Sequence, residues 1–424
     1  MRVTVMPGPI KGVVEAIPSK SHLHRLLICA ALADTQTCIL CKKTDAEDIN
    51  ATIRCLRALG AEIVWGGRGL NVTPIDHDRL PENAALPCGE SGSTLRFMLP
   101  VIAALGVAAR FEMAGRLPER PLAPLDAELT RQGVHLTRPE PNILLCEGQL
   151  RPGDFTLPGD ISSQYITGLL LALPLLKSWS ILNVIGPVES NDYIEMTLEA
   201  MAAFKITPTK TDNAYEISER ATFLSPGEII CEGDWSNAAF WLCAGCMPGG
   251  EIEMRGLSRN SRQGDREIVE ILARMGADIR WKGDVLHVKE GRRLGRQIDA
   301  RAIPDLAPVL SAVACAGQGE TQILNAARLR LKESDRLAAT AQVLNALGGQ
   351  IVEQPDSLKI QGKSALSGGE IDSWGDHRIA MTAAIASAAC TRPVTITGGQ
   401  AVNKSYPAFW DDLAALGKQL TIEG

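Results

Sequence analysis

Six times along the chain a short run of polar and small residues gives way at once to an apolar stretch. Lys20, Ser91, Ser162, Asp234, Asp305 and Asp376 mark the same phase of this pattern, at intervals of 71 or 72 residues. Apolar segments follow the markers, among them residues 23–33, 95–105, 166–176 and 379–389. Self-similarity at a fixed period predicts one structural unit used six times. Each marker then stands at a helix start, where free N–H groups and about half a positive charge favour an anion.

A second landmark closes each unit. Leucines at helical spacing run into glycine at Gly60, Gly133, Gly276, Gly348 and Gly417, with a degenerate form at residues 198–204. This reads as a helix ending in a left-handed cap. Short alternating runs with tight turns come next, at residues 62–65 with 70–72, 278–281 with 285–288, and 350–353 with 357–360. Those are paired strands. Each unit is therefore helix, strand, helix, strand, strand, or a circular shift of that order. Three units per domain would bury the apolar helices centrally with sheets outside, an α/β protein. The break between the halves is expected in residues 218–232, around Ser225-Pro226-Gly227.

Length agrees, since 424 residues exceed what one simple core organises. The first residues carry no long apolar segment after Arg2, and the longest greasy runs fall short of the ~20 residues that span a bilayer. A cytosolic protein is expected. Its eleven cysteines then read as reduced thiols, and the CxxC pairs Cys38/Cys41 and Cys243/Cys246 as packed small hydrophobes rather than metal ligands. A net charge of −6 argues against a broad nucleic-acid surface, so any functional positive charge must be local.

The chemistry gathers at the repeat phases. The first holds Ser19-Lys20-Ser21 with Arg25 one turn on, on a similar helix face. The second is Gly89-Glu90-Ser91-Gly92-Ser93-Thr94, whose glycines and hydroxyls let an anion approach backbone N–H groups; it is not a Walker loop. Arg96 beside it reads as the member of an internal ion pair. The third offers Ser162-Ser163-Gln164, the fourth a plain cap at Asp234, and the fifth Asp305, in which a cap is the ordinary reading. The sixth, Asp376-His377-Arg378, puts a cation in a first helical turn, where the dipole disfavours it. A parallel polar phase before the second helices contains Glu119-Arg120-Pro121, Ser190-Asn191-Asp192, Lys332-Glu333-Ser334-Asp335-Arg336 and Asn403-Lys404-Ser405.

Taken in order, these motifs closely resemble the bacterial 5-enolpyruvylshikimate-3-phosphate synthases, from the first strand to the last helix. The resemblance implies two globular domains of three βαβαββ units each. One would be discontinuous, residues 1–18 with 233–424, the other residues 19–232, and the active site would lie in the interdomain cleft. It implies transfer of the enolpyruvyl group of phosphoenolpyruvate to the 5-hydroxyl of shikimate 3-phosphate, with release of phosphate. Addition gives a tetrahedral intermediate and elimination follows, on the route to chorismate and the aromatic amino acids. No metal or organic cofactor is implied, nor a nucleic-acid or membrane partner, and the enzyme would act as a monomer.

Carried over position by position, the resemblance assigns shikimate 3-phosphate to Lys20, Ser21, Arg25, Ser162, Ser163, Gln164, Ser190, Asp305 and Lys332. Phosphoenolpyruvate falls to Lys20, Gly92, Arg120, Gln164, Arg336, Arg378 and Lys404. Proton transfer falls to Lys20, Asp305 and Glu333. Charge agrees: the substrates carry roughly −6 near neutral pH, and Lys20, Arg25, Arg120, Lys332, Arg336, Arg378 and Lys404 face them with seven cations. Glu90, Phe97 and Arg328 depart from residues common in the family, and bear on affinity and on response to the inhibitor glyphosate, which in this family occupies the phosphoenolpyruvate site. Two alternatives remain open. The UDP-N-acetylglucosamine enolpyruvyl transferases share the fold and donor, but carry a reactive cysteine in the segment before Arg120, and residues 114–118 contain none. An RNA-end-processing or RNA-binding protein on similar repeats would favour a broad basic surface.

Overall fold

The computed structural model describes residues 1–424 and divides them into two compact units, Pro18–Cys231 and Met1–Ile17 with Glu232–Gly424. The boundaries fall one residue earlier than the resemblance puts them. The continuous unit contains helices α1 (Lys20–Ala31), α2 (Glu47–Ala58), α3 (Gly92–Leu105), α4 (Leu125–Arg131), α5 (Ser163–Ala172) and α6 (Asn191–Ala203). The discontinuous unit contains α7 (Trp235–Cys246), α8 (Ile268–Arg274), α9 (Ala307–Cys315), α10 (Arg336–Ala346), α11 (His377–Ala386) and α12 (Phe409–Ala415). None is long and apolar enough to cross a membrane.

The repeat phase is visible as helix capping. Ser19, Ser91, Ser162, Asp234 and Asp376 each accept a backbone N–H in the first turn of α1, α3, α5, α7 and α11, at 2.7–3.3 Å. Such caps are worth about 1 kcal/mol each. Asp305 breaks the rule: it caps nothing and its carboxylate is spent on cations, as described below. The closing glycines Gly60, Gly133, Gly276, Gly348 and Gly417 have φ of 92–101°. In the degenerate third unit Lys205 takes that place with φ 66°, a left-handed conformation disfavoured for a residue with a Cβ.

Each unit holds three four-stranded sheets, every one with a parallel pair; five contain an antiparallel hairpin, and in the sixth the N-terminal strand Arg2–Val5 supplies the antiparallel pairing. The hairpin Glu62–Trp65 with Gly69–Thr73 pairs Ile63 with Val72, so both point into the core. The chain crossings complete sheets on either side. Lys11–Glu15 lies parallel to Glu251–Arg255 in the discontinuous unit, and Arg2–Val5 sits between Val394–Thr397 and Leu420–Glu423. In the other direction Glu228–Ile230 lies parallel to Thr37–Leu40. The segment read as a linker thus contains a strand. Its three residues are too few and too exposed for an alternating pattern to announce them.

The apolar helices are central. In the continuous unit α3 packs on α5 and α5 on α6, and α1 on α2 and α6; in the other, α7, α9 and α11 pack on one another. Buried leucines such as Leu99 and Leu170 contribute about 1.5–3 kcal/mol each. Buried helices leave their first turns as the places where polar side chains gather.

Candidate active site

In the continuous unit, α1 starts with Lys20, whose Nζ donates to Asp48 Oδ2 of α2 at 2.7 Å. One turn on, Arg25 is 2% exposed and tied to three helices. Its Nε donates to Thr197 Oγ1 (2.8 Å), Nη1 to the Ser21 carbonyl (2.5 Å), and Nη2 to Thr167 Oγ1 (3.3 Å) and the Tyr193 carbonyl (2.9 Å). Its guanidinium also lies 5.1 Å from the centre of the Phe97 ring. Every one of these partners is uncharged. Burial pulls its pKa down to about 10, so it stays a cation at neutral pH. A buried guanidinium without a carboxylate is costly alone and favours an incoming anion.

Gly92 opens α3 under two more guanidinium groups. A Cβ at that position would lie 2.7 Å from Nη1 of both Arg120 and Arg96. Arg96 Nη1 donates to Gln164 Oε1 (2.8 Å) and Nη2 to the Pro121 carbonyl (3.1 Å), while Gln164 Nε2 donates to Ser93 Oγ (3.0 Å). Arg96 therefore joins the α3 loop, the α5 start and the residue after Arg120, a positioning role that its reading as an ion-pair partner did not anticipate. Ser162 caps α5, and Ser163 is buried beside it. Ser190, before α6, is 3% exposed with φ 56°. A left-handed serine costs roughly 1–3 kcal/mol and marks a place where backbone strain accompanies function. Glu90 packs against the segment before Arg120, since a Cβ on Gly115 would meet its carboxylate.

In the discontinuous unit, five of the assigned residues form one network. Arg336, the first residue of α10, is 2% exposed and meets three carboxylates: Asp376 Oδ2 at 2.8 Å from Nε, Asp305 Oδ1 at 2.6 Å from Nη1, and Glu333 Oε2 at 2.7 Å from Nη2. These partners hold its pKa well above the usual arginine value in spite of burial. Lys332 Nζ lies 3.9 Å from Asp305 Oδ1, and Arg378 Nη2 3.5 Å from Asp305 Oδ2. Burial alone would raise the pKa of Asp305, but Lys332, Arg378 and Arg336 together hold it far below the ordinary carboxylate range. Burial pulls Lys332 down to about 8, against the opposing pull of Asp305. Arg378 also donates from Nη1 to the Ser236 carbonyl (2.8 Å), and its buried Nε has no partner. Lys404 Nζ donates to the Gly375 carbonyl at 2.8 Å, beside Asp376.

The fold thus gathers Asp305, Lys332, Glu333, Arg336 and Arg378, with Lys404 beside Asp376. It gathers Gly92, Arg120 and Gln164 around Arg96, and Ser21 with Arg25. Several contributors had gone unmarked. Asp376 is more than a phase marker, because it holds Arg336 and accepts from Ser334 Oγ at 2.9 Å. Asp48, Thr167 and Thr197 lie on helix faces whose partners no spacing reveals.

The family profile described as EPSP synthase (3-phosphoshikimate 1-carboxyvinyltransferase) matches residues 5–413. The chain is 40% identical over 422 residues to the 3-phosphoshikimate 1-carboxyvinyltransferase of Clostridium kluyveri, covering 99% of this chain and 98% of that one. With the enzyme of the same name from Clostridium acetobutylicum it shares 41% over 428 residues, 98% and 97% of the two chains. Among solved structures it is similar to an EPSP synthase from Acinetobacter baumannii, with TM-score 0.80, 25% identity, and 99% and 100% of the chains covered. The enolpyruvyl transferase NikO from Streptomyces tendae shares the fold at TM-score 0.76 and 17% identity, over 99% and 98% of the chains.

Proposed function

Because the chain belongs to the EPSP synthase (3-phosphoshikimate 1-carboxyvinyltransferase) family, we propose that its polar clusters bind phosphoenolpyruvate and shikimate 3-phosphate and join them. The reaction moves the enolpyruvyl group to the 5-hydroxyl of shikimate 3-phosphate and releases inorganic phosphate. Shikimate 3-phosphate is held by Lys20, Ser21, Arg25, Ser162, Ser163, Gln164, Ser190, Asp305 and Lys332. Phosphoenolpyruvate is held by Lys20, Gly92, Arg120, Gln164, Arg336, Arg378 and Lys404. In this reading residues of both units serve one pair of substrates, in the cytosol and in a monomer.

The observation that carries the anionic part of the reading is Arg25, a buried cation whose partners are all neutral oxygens. An anion placed against it gains a charge-assisted bond in a dry site, worth about 1.5–3 kcal/mol.

The chemistry needs a proton delivered to the methylene carbon of phosphoenolpyruvate as the 5-hydroxyl oxygen attacks the adjacent carbon. Elimination then returns a proton from that methyl group and expels phosphate. Asp305, kept ionised by its three cations, takes the proton that the 5-hydroxyl gives up as it attacks, which then leaves with the expelled phosphate, and faces the positive charge that develops at the attacked carbon. Glu333 shares Arg336 with Asp305, and with Lys20 it carries the proton to and from carbon. Preorganised charges of this kind act without reorganising at the moment of reaction.

Phosphate release from phosphoenolpyruvate tests the reading. Release that requires shikimate 3-phosphate supports it; release that requires UDP-N-acetylglucosamine instead, or neither acceptor, overturns it.

A further inference from the structure

The segment Ser261–Gln263–Asp265 lies outside every assignment above, yet three of its side chains grip a single turn. Ser261 Oγ donates to Glu232 Oε2 at 2.5 Å. Gln263 accepts from the Trp235 backbone N–H at 3.1 Å and donates to the Gly233 carbonyl at 2.8 Å. Asp265 Oδ2 accepts from Ser236 Oγ. All three are 2–6% exposed, and Ser261, Gln263 and, in the short 3-10 helix Gly264–Glu267 that follows, Asp265 therefore clamp Glu232–Ser236, the turn that starts α7. The turn is closely fitted as well, for a Cβ on Gly233 would lie 2.2 Å from the Gly256 carbonyl oxygen.

The clamped turn has one task visible in the structure. The Ser236 carbonyl accepts from Arg378 Nη1 at 2.8 Å, and the Arg378 ring contact, 5.6 Å to the centre of Phe240, comes from the same helix α7. Its other side-chain bond, to Asp305, is long at 3.5 Å. Ser236 thus supplies the shorter of the two bonds that aim this guanidinium.

We propose that Asp265, acting through Ser236, is a positioning residue for Arg378 and thereby sets affinity for the carboxylate or phosphate of phosphoenolpyruvate. The inference rests on the assignment of Arg378 to that substrate. Asp265 acts through the hydrogen bond it accepts from Ser236. Its Oδ1 is buried without a partner, and burial, with Asp305 adding, pushes its pKa up to about 7. A neutral amide of the same shape serves equally well, whereas a methyl group does not.

The test is steady-state kinetics on Asp265→Ala, Asp265→Asn, Ser236→Ala and the double variant Asp265→Ala/Ser236→Ala, with melting temperatures alongside. Expected are rises on the order of tenfold in KM for phosphoenolpyruvate for both alanine variants, and no further rise in the double variant. KM for shikimate 3-phosphate should stay near that of the wild type, and Asp265→Asn should restore KM for phosphoenolpyruvate. Ser236→Ala keeps the fold testable if Asp265→Ala does not accumulate. The inference is overturned if KM for phosphoenolpyruvate is unchanged in folded variants, if both KM values rise together with a lower melting temperature, or if Asp265→Asn is as impaired as Asp265→Ala. A wild type that releases no phosphate with both substrates would instead sink the functional reading, and this inference with it.

Discussion

Replacing Arg336 with methionine removes the one group that three carboxylates share. The side chain is 2% exposed, and it meets Asp305, Glu333 and Asp376 at 2.6–2.8 Å. Methionine fills similar volume, so the loss is electrostatic. Asp376, fully buried, keeps its backbone and Ser334 contacts but loses its guanidinium. Asp305 retains only Arg378 at 3.5 Å and Lys332 at 3.9 Å. Removing one partner of a buried ion pair costs about 3–5 kcal/mol. For a unit of this size that lowers the melting temperature by roughly 6–20 °C. The pH dependence has a definite sign. Asp305 titrates far below its unfolded value in the wild type, so its contribution is complete at neutral pH and is lost only in strong acid. In the variant Asp305, without one of its three cations, takes up a proton more readily. The deficit is therefore largest at neutral pH and narrows as pH falls through the ordinary carboxylate range, about 4–5. Denaturant unfolding of both proteins at several pH values reads this directly. A deficit below about 1 kcal/mol at pH 7, or one that widens in acid, would refute the reasoning. Arg336 is assigned to phosphoenolpyruvate and also holds Asp305 and Glu333 in place, so the variant should lose turnover as well as affinity for phosphoenolpyruvate.

Gly92→Ala puts a methyl group 2.7 Å from two arginine nitrogens. It should raise KM for phosphoenolpyruvate on the order of tenfold, and the inhibition constant of glyphosate by more, with KM for shikimate 3-phosphate nearly unchanged; equal shifts for both substrates would contradict this. Lys332 sits near pKa 8, so kcat/KM for shikimate 3-phosphate should fall as pH rises past that value, while Lys332→Arg should show no such fall. A profile identical in both proteins would remove Lys332 from the site. Ser190→Gly should relieve the φ of 56° and stabilise the protein by up to about 1 kcal/mol while weakening shikimate 3-phosphate binding. A variant that is destabilised, with substrate affinity intact, would count against a ligand role for that hydroxyl.

Much of the fold was legible because six copies of one pattern reinforce each other. Capping residues and closing glycines are local, chosen by the conformation of a single turn, and therefore show in sequence. The linker strand Glu228–Ile230 did not show, because three residues, none of them buried, take their conformation from Thr37–Leu40, far away in the chain. The site divides along the same line. Lys20, Arg25, Gly92 and Arg378 stand at helix starts and could be found by phase. Asp305 shares that phase, where a cap is the ordinary reading, and only the resemblance singles it out, since its cations come from residues 332–336 and 378. Ser236 stands in a phase that reads as a plain cap, and Asp48 and Asp265 carry no motif of their own; only folding puts them beside Lys20 and Arg378.

Enolpyruvyl transfer differs from phosphoryl transfer in which bond of phosphoenolpyruvate breaks and in what solvent leaves behind. Run in deuterated water with shikimate 3-phosphate, the reaction should yield inorganic phosphate and an enol ether at the 5-oxygen. Its vinyl methylene should carry solvent deuterium, because addition makes a methyl group that elimination then deprotonates. Nuclear magnetic resonance of the product reads both features at once. Pyruvate with a doubly phosphorylated acceptor, or an enol ether free of solvent deuterium after many turnovers, would contradict addition and elimination at this site.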